Sequence, residues 1–217
     1  MNAIDPGIAR PRQRPLAVLE DDCLRPLATK IAASGRLPTV VAIAGGSPGE
    51  GVTTTVVNLA RTLETCSGLR VLVVDTSLAN PRLHEHYGLP HAPGLSDVLY
   101  GNAKLKDVVY IAQNMMLGVV PAGSALGLSS SNLYRSDGIP AMLAPLRATG
   151  FDIVLIDLPP LVYWPEAISI AAQSDQTFIV ISSDTTDRKV ACKVRAQLSD
   201  GGAPLSGAIL NRIRHSL

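Results

Sequence analysis

In the stretch GGSPGEGVTTT, Gly45 to Thr55, three glycines and a threonine stand at the spacing that cradles a phosphate group. Gly46, Gly49 and Gly51 fit the pattern G-x-x-x-x-G, in which backbone N–H groups of residues such as Glu50 and Thr54 converge on one anion at a helix N-terminus. Thr53 stands where a hydroxyl binds Mg²⁺. Val52 breaks the pattern, because it takes the place of the lysine that reaches the β- and γ-phosphates. Losing one charge-assisted contact costs about 1.5–3 kcal/mol of binding, roughly tenfold to a hundredfold in affinity. Phosphoryl transfer, which depends on charge placed around the transition state, loses more. Taken alone, the loop reads equally well as a glycine-rich strand-to-helix turn with no ligand.

Two carboxylates extend the first possibility. VLVVD ends at Asp75 and IVLID ends at Asp157, each closing an apolar run that reads as a buried strand. Parallel strands deliver their C-terminal ends to one edge of a sheet, where a phosphate loop also lies. Asp157 is then placed to orient Mg²⁺ or its water, and Asp75 to position a metal or a nucleophile. Seen singly, an aspartate closing a strand is as often a turn or cap residue. His84, His86 and His91 cluster without an acid or cysteine at ligand spacing, so no second metal is expected there; His215 lies near the end of the chain. Cys23, Cys66 and Cys192 are odd in number and far apart, which predicts reduced thiols acting as small core hydrophobes.

The elements that must position these residues follow from the rest of the chain. Its 217 residues suit one domain, 16–217, behind a flexible Pro- and Arg-rich tail, 1–15. With 47% hydrophobic and only 4% aromatic residues, the composition favours a parallel sheet rich in Val, Ile, Leu and Ala, covered by helices. A net charge of +1 provides no global field toward nucleic acid or anionic lipid. No signal peptide or spanning run is read, which predicts a cytoplasmic protein without direct membrane insertion. A helix is expected over Asp22 to Ser34, with Pro26 in its first turn. PTVVAIAGG, LRVLVVD, MMLGVVPAG, FDIVLIDLPP, QTFIVIS and LSGAILNRI read as strands. TTTVVNLARTLETC, GLSDVLYGN, IPAMLAPLRATG, EAISIAAQS and DRKVACKVRAQLSDGG read as helices, and GSALGLSSSNLYRSDG as a surface loop. Alternation with right-handed crossovers gives an α/β, doubly wound, mostly parallel sheet with helices on both faces.

SPGEG followed by TT and NLA, then VLVVDTSLANPRLHEHYGL, PGLSDVLYGN, FDIVLIDLPP and GAILNRI together resemble the cytosolic ATPase domain of bacterial tyrosine kinases. Those kinases belong to the wider P-loop superfamily that includes the septum- and chromosome-positioning ATPases. The resemblance runs from about Asp22 to Ile213. It implies Mg·ATP or Mg·ADP as cofactor, base contact at Asn211 with Arg212 beside it, and a homodimer across the nucleotide face. It also implies a partnership with a membrane polysaccharide co-polymerase in capsule or exopolysaccharide synthesis.

The departures bear on activity. Ser77 replaces the second acid of the second motif, Ala79 its arginine, and Glu166 an aspartate after the double proline. On the oligomerising helix the pattern gives Asp22 and Arg25 but Ala28 for a second arginine, which puts the ring contact in question. No tyrosine follows Tyr163, so tail autophosphorylation is not expected. Arg82, Arg188 and Lys189 are the candidates to replace the lost lysine. The reading is a pseudo-kinase with weak or absent nucleotide binding that regulates or assembles polysaccharide export. It would bind no nucleic acid and reach the inner membrane only through its partner. The alternative is an active ATPase or tyrosine kinase using Thr53, Asp75 and Asp157 around Mg·ATP.

Overall fold

The computed structural model describes residues 21–35, 37–111, 116–124, 134 and 137–213. The expected tail, 1–15, and the side chain of Asp22 lie outside the described residues. Seven strands form one sheet: β1 (Thr39–Gly45), β2 (Val71–Asp75), β3 (Tyr110–Ile111), β4 (Leu117–Val120), β5 (Ile153–Asp157), β6 (Gln176–Ser182) and β7 (Leu205–Asn211). Their order is β3-β4-β2-β5-β1-β6-β7, and every described pairing is parallel except β3 with β4.

Every residue of β1, β2 and β5 is buried, which is why these strands read as continuous apolar runs rather than alternating ones. On one face, α1 (Asp21–Ala32) and α2 (Val52–Ser67) pack over Val41, Ile43, Val73 and Leu155. The inward stripe of α1 is Leu24, Ala28 and Ile31, at helical spacing. On the other face, α5 (Leu143–Arg147), α6 (Ile168–Ala172) and α7 (Arg188–Asp200) contribute Leu143, Leu146, Ile170, Val194 and Leu198 to a second core over Val40, Ala42 and Val154. Short helices α3 (Leu83–Tyr87) and α4 (Leu95–Leu99) complete the layer sequence. Among the described residues, no helix is long and apolar enough to cross a membrane.

Several expectations are corrected. The first helix ends at Ala32, and Pro26 sits sixth in it, beyond the first turn. It is exposed there, and the packed stripe holds the helix despite the lost backbone donor. IPAMLAPLRATG and EAISIAAQS each begin as a 3-10 turn, Ile139–Met142 and Pro165–Ala167, before one short α-helix, because prolines occupy their openings. All three cysteines are exposed rather than core, since each lies off the apolar stripe of its helix. Most of the expected surface loop lies outside the described residues, but Tyr134 within it is buried at 2% exposure.

Candidate functional site

β1 delivers its last residue, Gly45, to the C-terminal edge of the sheet, and the loop that follows turns directly into α2. Gly51 caps that helix in the left-handed region, φ 92°, with no side-chain cap. A Cβ at Gly51 would overlap the Asn211 amide, so both its conformation and its surroundings require glycine. Thr55 N–H bonds back to Gly51 O at 2.8 Å as the helix opens. The amides of Val52, Thr53 and Thr54 therefore precede the intrahelical ladder, at the positive end of a 16-residue helix dipole.

Glu50 holds this loop from within. Its side chain is buried, accepting from Gly46 N–H at 2.7 Å and from Thr186 Oγ1 at 2.8 Å. Its carbonyl accepts from Asn211 Nδ2 at 2.9 Å, and Asn211 Oδ1 accepts from Arg212 N–H. The residue expected to contact a base thus ties β7 to the phosphate loop. Val52 packs against the α1/α2 core, and a Cβ on Gly45 would lie 2.6 Å from its Cγ2.

Beneath the loop, Asp75 and Asp157 stand side by side in register on adjacent strands. Asp75 Oδ1 accepts from Ser77 N–H at 2.9 Å and Oδ2 from Leu83 N–H at 3.1 Å. Thr53 lies beside Asp157 and favours its charged form, yet Asp157 Oδ2 finds no hydrogen-bond partner among the described residues. Burial pushes both carboxyls above the usual range, and Asp75 raises Asp157 further. The serine that replaces the second acid supplies its backbone amide, not a charge, to Asp75.

Above the acids opens a cleft of about 680 Å³, lined by residues 47–54, by Ser77, Ala79, Asn80, Arg82, Glu85 and His86, and by Leu158, Pro160, Tyr163, Trp164 and Arg212. The cradle, the Thr53 hydroxyl and the unpartnered buried carboxylate oxygen fit a Mg·nucleotide. The valine position does not. When bound, such a group would be held by the backbone N–H groups of residues 49–54, with Thr53, Asp157 and Asp75 on the metal side.

Gly46, Gly49, Glu50, Gly51, Val52, Thr53, Thr54, Asp75, Asp157, Asn211 and Arg212 thus converge at one sheet edge. Of the three candidate substitute cations, Arg82 lines the cleft, whereas Arg188 and Lys189 open α7 outside its lining. Arg25 is exposed on α1, while Ala28 is fully buried against α2. The histidines split: the His84 and His91 rings meet at a tilt of 56° with centroids 4.9 Å apart, and His86 faces the cleft. Thr186, Tyr134 and Trp164 are site residues that the sequence reading missed. Tyr134 Oη donates to Thr76 O at 2.6 Å, and its ring lies 6.1 Å from that of Trp164. Its one signal was a lone tyrosine in a polar, low-complexity stretch of an aromatic-poor chain.

Comparison with known proteins agrees with this geometry. The AAA domain family matches residues 38–189. The tyrosine-protein kinase YwqD of Bacillus subtilis (strain 168) is 30% identical over 171 residues, covering 79% of this chain and 71% of that protein. The VpsO kinase domain superposes with TM-score 0.79 at 27% identity, covering 89% of this chain and 94% of that one. The septum site-determining protein MinD of Pyrococcus horikoshii, solved with Mg-ADP, superposes with TM-score 0.66 at 27% identity, covering 82% of this chain and 72% of that one. These matches place the chain, with its AAA domain over residues 38–189, in the family of bacterial tyrosine kinases.

Proposed function

We propose that this chain is a pseudo-kinase: a kinase-like module that keeps the nucleotide cleft, binds nucleotide weakly or not at all, and regulates or assembles polysaccharide export. The observation that carries this reading is Val52, which sits at the lysine position, packs partly against the α1/α2 core and presents an uncharged side chain to the cleft. Two buried carboxylates lie below it, and among the described residues no cation is near enough to lower either. A site built for fast phosphoryl transfer needs the opposite balance of charge. Ser77 and Ala79, at the cleft wall, remove a further acid and a cation from the family pattern. By the resemblance, the partner is a membrane polysaccharide co-polymerase touched through its cytosolic tails, with the chain held at the inner membrane by that contact.

Calorimetric titration with Mg·ADP and Mg·ATP, beside Val52→Lys, tests the reading. Weak or absent heat in the wild type with binding tightened about tenfold to a hundredfold in Val52→Lys supports it. Micromolar wild-type binding together with ATP turnover overturns it. The intact cradle and the unpartnered Asp157 Oδ2 favour one rival, an active ATPase or tyrosine kinase with a rearranged site. That rival requires turnover that Asp157→Asn abolishes.

A further inference from the structure

The cleft contains three side chains able to carry positive charge: Arg82, His86 and Arg212. Burial lowers the His86 imidazole below its usual range, so it is largely neutral at pH 7. Arg212 belongs to the β7 side. Its backbone is fixed by Ser183 Oγ, which donates to Arg212 O at 2.6 Å, and its guanidinium lies 3.9 Å from Asp184. Arg82 stands on the metal side. It immediately precedes Leu83, whose amide donates to Asp75, and it shares the cleft lining with Val52 and Thr53.

Arg82 is already engaged. Its Nη1 lies 3.3 Å from Glu85 Oε2, one turn along α3, with both side chains more than half exposed. An exposed pair of this kind is weak, screened by salt and readily exchanged for a better anion. A polyphosphate is such an anion, because guanidinium binds phosphate oxygens through two parallel N–H donors.

We propose that Arg82 is the cation with which this cleft grips nucleotide phosphates in place of the missing lysine, and that Glu85 restrains it while the cleft is empty. The proposal rests on the reading of the cleft as a weak nucleotide site. It would give affinity without catalysis: the charge arrives from the wall of the cleft on an exposed side chain, not from the loop that cradles the phosphates.

The test is a cycle of four full-length proteins titrated with Mg·ADP: wild type, Arg82→Ala, Glu85→Gln and the double variant. Both residues are exposed, and melting curves check that each variant folds. Glu85→Gln should tighten binding about two- to fivefold, and Arg82→Ala should weaken it about five- to thirtyfold. Glu85 also lines the cleft and repels phosphate directly, so the double variant should keep only part of the Glu85→Gln gain when set against Arg82→Ala. Wild-type affinity in Arg82→Ala, or a Glu85→Gln gain undiminished by loss of Arg82, overturns the proposal. Absence of binding in all four, with Val52→Lys binding, also overturns it but leaves the pseudo-kinase reading standing. ATP turnover by the wild type removes that reading whatever Arg82 does.

Discussion

Asp157 concentrates the consequences of the lost lysine in one side chain. It is 1% exposed, beside Asp75, with one oxygen unpartnered, so its charged form is disfavoured in the folded state. A carboxyl whose folded pKa is raised binds its proton more tightly when native. Its contribution to stability is therefore full below the unfolded pKa and is lost as pH rises through the folded one. For Asp75 that window runs from the ordinary value, 3.8, to about 6, and Asp157 is shifted the same way. Asp157→Asn keeps the shape and removes the charge, and it is the better variant because both Asp75 oxygens accept backbone N–H groups that an amide NH₂ would oppose. We expect Asp157→Asn to raise stability at pH 8 by about 1–3 kcal/mol, several degrees in Tm. The gain should shrink toward pH 4. Comparing variant with wild type cancels His84 and His86, whose lowered pKa values oppose stability in acid. A gain independent of pH, or a loss at pH 8, would show that the pair is not strained by its charge.

At the scale of elements, the loop between β1 and α2 depends on Glu50 as much as on its glycines. Its carboxylate joins Gly46 to Thr186, and its carbonyl joins β7 through Asn211. Glu50→Ala leaves the Gly46 amide without its acceptor and opens a buried space, which we expect to cost about 2–4 kcal/mol in urea unfolding. Glu50→Gln can still accept from Gly46 and turn its amide toward Thr186, whose hydroxyl oxygen accepts in turn, so it should cost about 1 kcal/mol or less. Equal costs for the two variants would refute the tie. Thr186 itself was not legible in the sequence, because nothing local distinguishes it from the polar residues beside it in SSDTTD. The glycine spacing and the strand-ending aspartates were legible, since apolar runs closed by a charge mark both the strand and its edge. Strand order was not: β5 inserts between β1 and β2, and that placement comes from crossover packing rather than from any residue in the run. The two-residue β3 and the five-residue α3 were too short to carry a period. Tyr134 was hidden for the opposite reason, an apolar anchor inside a stretch whose composition otherwise says loop.

At the scale of the molecule, β1, β2 and β5 contribute side chains to both cores, so the two faces of the sheet cannot melt separately. Anything that stabilises the cleft should appear in the global transition. That turns nucleotide affinity into a thermal measurement. At a ligand concentration equal to the wild-type Kd, linkage gives RT ln 2, about 0.4 kcal/mol, or about 1–2 °C for a chain of this size. A variant binding about ten to a hundred times more tightly gains about 1.4–2.7 kcal/mol at the same concentration, or about 3–10 °C. Val52→Lys should therefore move from a barely resolved shift to an evident one with Mg·ADP, while its melting point without nucleotide falls or stays level. The lysine must leave the α1/α2 core that Val52 partly joins, but its charge faces the Asp75–Asp157 pair. A Val52→Met control has comparable bulk and no charge, and it should show the wild-type shift. If Met and Lys respond alike, side-chain length at this position, not charge, governs entry of phosphate, and the account of the cleft as a site disabled by its missing cation fails.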